Sequence, residues 1–325
     1  HAGLGRLVDG GDVGDTYNWC PPSTDTLVDA PRAVRTEVLE DGPVRARLQV
    51  VRTYELPTHA DMAARHGATE VDVTTTLELR AGEDLLRVAV EWDDHGVRDH
   101  RLRVHLPLPS PASVSEAECA FAVVERGLEA EGGPTEAPLP TYPSRRFVRA
   151  GGLTVAHEGL LEYELVDVGP GGARALALTL VRATGMLSQG PMATRPLPAG
   201  PLTPMEGPQM EQRMSCRFAL HVGDRDPYAV ADDAFVPLLV TRGGGLGGTA
   251  PLTGQALSVT GAEVSAVLRE AGQLQVRLFN PRPEPATVEV AGRRGWVVDL
   301  RGAPLAPFEE SVELGPWQIA TLALA

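Results

Sequence analysis

Apolar and polar residues alternate with period two along most of this chain, as they do in strands with one buried face. EVDVTTTLELR sets Val71, Val73, Thr75 and Leu77 on one side. After the turn AGED, the run LLRVAVEW repeats the alternation, so the two segments predict a hairpin. RARLQVVRTYEL precedes the pair, and HRLRVHLPL follows it with Leu102, Val104 and Leu106 inward and Arg101, Arg103 and His105 outward. GLTVAHEG, ARALALTLVRA, RMSCRFALHV, GQLQVRLFN, ATVEVAG and QIATLALA continue the series. One segment, DPYAVADDAFVPLLV, has helical spacing at Tyr228, Ala231, Phe235 and Leu238, and Pro237 cuts it short. The pattern predicts an all-β protein.

Two stretches interrupt it. Ala193 to Met210 is too rich in proline for regular structure and predicts a long ordered loop. Arg242 to Gly254, RGGGLGGTAPLTG, has the composition of a linker. The expected organisation is a large β domain over 1–242, a linker over 243–254 and a small β-sandwich over 255–325.

Composition narrows the function classes. A net charge of -14 with every basic residue an arginine, none clustered, argues against nucleic acid or an anionic membrane as partner. No apolar run approaches the ~20 residues of a membrane helix. Cys20, Cys119 and Cys216 form no CxxC pair, which favours reduced thiols and a cytoplasmic setting over a zinc knuckle or a disulfide framework. The densest set of metal-ligand types is Asp93, Asp94, His95, Asp99, His100 and His105. There Asp-Asp-His-Gly reads first as a turn, so no metal site is expected in the chain. The glycine run at 243–248 lacks the lysine of a phosphate loop, and Ser188 and His157 sit in no nucleophile elbow. Spacing alone yields no complete catalytic constellation.

The opening stretch DGGDVGDTYNWCPP, Asp9 to Pro22, joins a glycine-rich acidic turn to an aromatic run and two prolines. As structure it is a tight turn; as chemistry, carboxylates beside a phenol suit a polyol or a cation. GDVGDTYNWCPP resembles the GDxYNFSPP-type segment that begins the large β domain of bacterial α-mannosidases of glycoside hydrolase family 38. The similarity continues in order through DHRLRVHLPLP, FAVVERG, PTYPSRRFVRAGGLTVAHEGLLEYEL, the Arg195 to Pro204 loop, LREAGQLQVRLFNPRPEPATVEV and LGPWQIATLAL.

The resemblance implies a large super-β-sandwich of the galactose-mutarotase type followed by a small C-terminal sandwich. It also implies a catalytic barrel upstream, where two histidines and two aspartates hold zinc and one aspartate is the nucleophile. The chain would then be the non-catalytic β region of a retaining α-mannosidase, with an α-mannoside as substrate and its own catalytic domain as partner. Alone it is expected to fold, to hold no zinc and to be inactive; homo-oligomerisation stays open. Tyr17 aligns with a family tyrosine that contacts the sugar. Arg126, in the VVER segment, is a second substrate-binding candidate, and Asp15 is expected to orient Tyr17 or bond a sugar hydroxyl. Trp19 and Cys20 depart from the aromatic and serine usual there. Two alternatives remain: a free-standing carbohydrate-binding or scaffold protein, and a sugar mutarotase using His100 or His157 with Glu162.

Overall fold

A computed structural model describes residues 3–243, 251, 253–270 and 272–325. It divides into two compact units, His1–Ala117 with Glu125–Val236, and Glu118–Val124 with Pro237–Ala325. The strands in chain order begin with β1 (Arg6–Gly11), β2 (Ala33–Asp41), β3 (Arg45–Leu56), β4 (His59–Ala60) and β5 (Arg65–His66). Next come β6 (Thr69–Arg80), β7 (Leu86–Asp93), β8 (His100–Ala112), β9 (Val114–Cys119) and β10 (Ala122–Gly127). Then follow β11 (Thr141–Pro143), β12 (Phe147–Ala150), β13 (Leu153–Glu158), β14 (Glu162–Gly169), β15 (Gly172–Arg182) and β16 (Arg213–Val222).

Among the described residues, the first unit is built on two antiparallel sheets. One has five strands, β1-β8-β15-β14-β11, and the other nine, β10-β9-β12-β13-β16-β7-β6-β3-β2. The expected hairpin is present, with Thr75 opposite Val90 and Leu77 opposite Val88. In β8, Leu102, Val104 and Leu106 enter the core beside Leu176 and Leu178 of β15, and they share it with Val88, Val90, Trp92 and Phe218 of the larger sheet. Each such side chain contributes about 1.5–3 kcal/mol by leaving water, so the interleaved apolar positions hold the two sheets together.

The helical segment forms α1 (Pro227–Phe235), started by the Asp226 carboxylate, which accepts from the Ala229 N–H. Its buried residues are Pro227, Tyr228, Val230, Ala231 and Ala234; Leu238, assigned to the same stripe from spacing, lies past the helix end and is 96% exposed. Proline at 237 forces the preceding Val236 to an extended conformation, which ends the helix before Leu238 can join its face.

In the second unit, β17 (Val259–Thr260), β18 (Glu263–Glu270), β19 (Gln273–Phe279), β20 (Ala286–Val298), β21 (Pro304–Leu314) and β22 (Ile319–Leu324) form one sheet. Val276, Leu278, Val288, Val290, Phe308 and Leu322 make its core. The tip Glu118–Val124 groups with this unit: Phe121 meets Phe279 edge-on at 5.3 Å, and the Val123 N–H donates to the Pro281 carbonyl. The expected linker over 243–254 lies, apart from Gly243, Pro251, Thr253 and Gly254, outside the described residues.

Candidate functional site

The opening stretch runs along β1 and then leaves the sheet as a loop, and its three aspartates, Asp9 on the strand and Asp12 and Asp15 in the loop, are all buried. A buried carboxylate is costly unless it is paired and hydrogen-bonded, and each of the three is satisfied differently. Asp9, opposite Leu102 on β8, takes the Arg65 guanidinium on one oxygen and His100 Nδ1 at 2.7 Å on the other. Across the ring, His100 Nε2 lies 3.1 Å from Asp94 Oδ2, and Trp92 Nε1 donates to the second Asp94 oxygen at 2.8 Å. Burial opposes charge on His100, but the carboxylates on both sides outweigh it and lift its pKa from 6.5 to about 10. The ring is therefore an imidazolium clamped between two anions.

Asp12 accepts the N–H groups of Gly14 at 3.0 Å and Cys20 at 3.2 Å on one oxygen, and Arg182 Nε at 2.5 Å on the other. Burial raises its pKa from 3.8 to about 6, while Arg182 and the two N–H groups pull it down. This turn demands a glycine at position 14, because a Cβ there would stand 2.1 Å from the Asn18 carbonyl oxygen.

Asp15 sets the position of Tyr17. One of its oxygens accepts the N–H groups of Tyr17 and Asn18, each at 2.9 Å; the other accepts the Gln189 N–H at 2.7 Å and an Arg195 guanidinium N–H. Burial disfavours the anion, yet these bonds outweigh it and lower its pKa. Arg195 also donates to Asn18 Oδ1 and to the Leu197 carbonyl, and its Cζ lies 5.9 Å from the centre of the Tyr17 ring. Gly200 flanks the same phenol: a Cβ there would sit 3.2 Å from the Tyr17 hydroxyl. The loop backbone is thus fixed from below by ions, while the Tyr17 side chain remains 56% exposed.

Of the two roles expected for Asp15, the geometry is that of orienting Tyr17, since both its oxygens are occupied and the residue is fully buried. Arg126 lies on β10 with its Cζ 5.6 Å from the centre of the Tyr142 ring. Among the described residues, no hydrogen bond or ring contact links it to Tyr17. Trp19 is half-buried; its Nε1 donates to the Gly11 carbonyl at 3.1 Å, and Arg101 lies over its ring at 5.0 Å.

The outward face of β8 is not solvated as alternation predicts. Arg101 is 2% and His105 7% exposed. Trp19 covers Arg101, and Glu162 and Glu164 of β14 bind the guanidinium groups of Arg101 and Arg103, at 2.7 and 2.8 Å. Burial and the nearby Arg103 and Arg6 hold the His105 pKa down at about 4.

The metal-ligand types around Asp93 scatter. Asp93 and His95 pair with each other in an exposed turn, whereas Asp94 and His100 are sealed in the interior. Among the described residues, no group of three or more His, Cys, Asp and Glu side chains could hold a metal, and both nitrogens of His100 are already engaged. These donors do not fit a zinc ion. Both mutarotase candidates for the acid are enclosed: His157 is 1% exposed with Nε2 on Ser144 Oγ at 2.7 Å, and His100 is 0% exposed.

Sequence reasoning missed Arg65, Arg182 and Arg195, the cations that make the loop possible. Asp15 and Arg195 are 180 residues apart in the chain, and no local spacing rule spans that separation. The one available signal was the number of acidic residues in a stretch with no basic residue of its own.

With the geometry in view, solved structures supply a comparison. Over 99% of this chain and 38% of the other, the fold matches an α-mannosidase from Enterococcus faecalis V583, with TM-score 0.78 and 22% identity. A protein of glycosyl hydrolase family 38 from Enterococcus faecalis matches over 99% of this chain and 40% of that one, with TM-score 0.76 and 22% identity. The chain has the fold of an α-mannosidase segment. It spans about two fifths of the length of the structures it matches. No protein-family model matches the chain, and no curated protein matches it. Among the described residues, no helix is long and apolar enough to cross a membrane.

Proposed function

We propose that this chain is the β region of a retaining, zinc-dependent α-mannosidase of glycoside hydrolase family 38, and that it completes the rim of an active site carried by an upstream barrel. The observation that carries the reading is the end-to-end match of the chain to a segment of an α-mannosidase. In such an enzyme two carboxyl groups lie about 5–5.5 Å apart, one attacking the anomeric carbon and the other protonating the leaving oxygen. Zinc, held by residues outside this chain, would act as a Lewis acid on sugar hydroxyls. The chain's own part is positioning. The Tyr17 phenol hydrogen-bonds the sugar, and the Asp15 and Arg195 pair holds the Tyr17 backbone so that little freedom is lost on binding. Arg126 is the second residue assigned to that rim. The three free thiols agree with a cytoplasmic setting.

The reading is tested on the whole gene product. Reading the coding sequence upstream of His1 should reveal a barrel with an HxD segment, and the protein should hydrolyse an aryl α-mannoside. Tyr17→Phe should lower kcat/KM about tenfold, the loss of about 1.4 kcal/mol of transition-state binding. A start codon directly before His1, or a full-length protein with no α-mannosidase activity, would leave the free-standing carbohydrate-binding reading in its place.

A further inference from the structure

Residues 186–189 tie the Tyr17 loop to a second loop, 199–203. Toward Tyr17, the Met186 carbonyl accepts the Thr16 N–H at 3.1 Å, the Leu187 carbonyl accepts the Thr16 hydroxyl at 2.7 Å, and the Gln189 N–H donates to Asp15. Toward the second loop, the Leu187 N–H donates to the Thr203 carbonyl at 2.9 Å. The fully buried Ser188 Oγ accepts the N–H groups of Ala199 at 2.9 Å and Gly200 at 3.1 Å. The backbones of Tyr17 and Gly200 therefore hang on one short strip of chain, which fixes the gap between them.

The Gly200 backbone does not itself demand glycine, because its φ lies outside the left-handed region that strains other residues. What the missing side chain leaves is room beside the phenol. A Cβ at this position would stand 3.2 Å from the Tyr17 hydroxyl oxygen, 3.8 Å from Cε2 of the same ring and 3.9 Å from Ser188 Cβ, with nothing closer. The space lies on the Cε2 flank of the hydroxyl, and among the described residues that hydroxyl has no hydrogen-bond partner. A phenol both donates and accepts, and a hydroxyl oxygen bonded to it approaches to about 2.7–2.8 Å. A carbon makes no such bond and packs best at about 3.5 Å or more. The space beside Gly200 thus suits an oxygen and crowds a methyl group.

We propose that Gly200 is a specificity-determining position of the sugar site: its bare Cα keeps the Cε2 flank of the Tyr17 hydroxyl open, and one hydroxyl of the bound α-mannoside enters there to hydrogen-bond the phenol. The inference rests on the reading that Tyr17 contacts the sugar. A methyl group at position 200 acts twice on such a complex. It fills the place of the sugar hydroxyl, and it presses on the phenol oxygen. Neither backbone can retreat, since Ser188 holds Gly200 and the 186–189 strip holds the Tyr17 turn. The side chain of Tyr17, which no hydrogen bond within the chain restrains, is the group that gives way.

The test uses the whole gene product, an aryl α-mannoside and its monodeoxy analogues, each lacking a different sugar hydroxyl. Gly200→Ala should lower kcat/KM on the parent substrate about tenfold, as Tyr17→Phe does, with the melting temperature within about 2 °C of wild type. One analogue, the one without the hydroxyl that meets Tyr17, should be about tenfold poorer for wild type and should lose less than about twofold further in either variant. Loss of both effects on the same analogue is a readout that a merely structural role for Gly200 would not produce. Gly200→Ala overturns the proposal if it leaves kcat/KM unchanged while Tyr17→Phe lowers it, or if its loss is the same on every analogue. A melting temperature lowered by more than about 5 °C also overturns it, since the loop and not the phenol would then be giving way. A wild-type protein without mannosidase activity, or a Tyr17→Phe variant with unchanged kinetics, fails at the earlier step, the sugar contact of Tyr17, and this proposal falls with it.

Discussion

Replacing His100 with glutamine removes the positive charge that lies between Asp9 and Asp94. Asp9 keeps Arg65, but Asp94, fully buried, keeps the Trp92 indole N–H as its side-chain donor and loses its cation. The size of the effect follows from the proton affinity of the ring. Its pKa rises from 6.5 to about 10 on folding, and each tenfold change in affinity is worth about 1.4 kcal/mol, which makes about 5 kcal/mol an upper figure. Breaking one member out of a buried ion group costs about 3–5 kcal/mol, in agreement. Because the folded pKa lies above the unfolded one, this stabilisation is fully present below pH 6.5 and is lost as pH rises through about 10. The assay is urea denaturation of wild type and His100→Gln at pH 6 and pH 10, followed by tryptophan fluorescence; taking the difference between the two proteins cancels the other titrating groups. The gap should be about 3–5 kcal/mol at pH 6 and shrink below about 1 kcal/mol at pH 10. An equal gap at both pH values would show that the ring is not charged in the folded protein, and the argument would fail.

Other perturbations probe the loop itself. Arg195→Ala leaves the buried Asp15 carboxylate without its cation and should cost about 2–4 kcal/mol, with faster proteolysis at residues 16–19 as the local readout. Gly14→Ala drives a Cβ against the Asn18 carbonyl and should lower the urea midpoint by an amount equivalent to about 1–3 kcal/mol; an unchanged midpoint would mean that the turn opens freely. Tyr17→Phe, by contrast, should shift stability by no more than about 0.5 kcal/mol, since the side chain is exposed, so any change in mannoside hydrolysis is read as function. Asp12 is linked to pH in the same sense as His100 but in a lower window: its pKa is raised from 3.8 to about 6, so its contribution to stability falls as pH rises through that window. Asp12→Asn should flatten that part of the pH profile in thermal melts between pH 4 and pH 6.

Much of the fold was legible because period-two alternation records which face of a strand is buried. Leu102, Val104 and Leu106 went to the core as their spacing required, and the β6–β7 hairpin formed where AGED marked a turn. The same rule failed on the opposite face of β8. Alternation says which side of a strand faces away from the core, but not what else covers that side; here Trp19 and the β14 glutamates enclose Arg101. The helix stripe failed at Leu238 for a local reason, the extended residue before Pro237.

The site divides in the same way. The sequence by itself determined an acidic, glycine-rich turn that presents Tyr17, because glycine at position 14 and the Asx-type bonding of Asp15 to the N–H groups of Tyr17 and Asn18 are properties of neighbouring residues. Only the tertiary structure decided that Asp9, Asp12 and Asp15 are buried, and that Arg65, Arg182, Arg195 and His100 neutralise them from 56 to 180 residues away. The physical reason is that a carboxylate can leave water only where a cation and hydrogen-bond donors meet it, and which cation arrives is fixed by how distant strands stack, a relation that no local pattern of residues encodes.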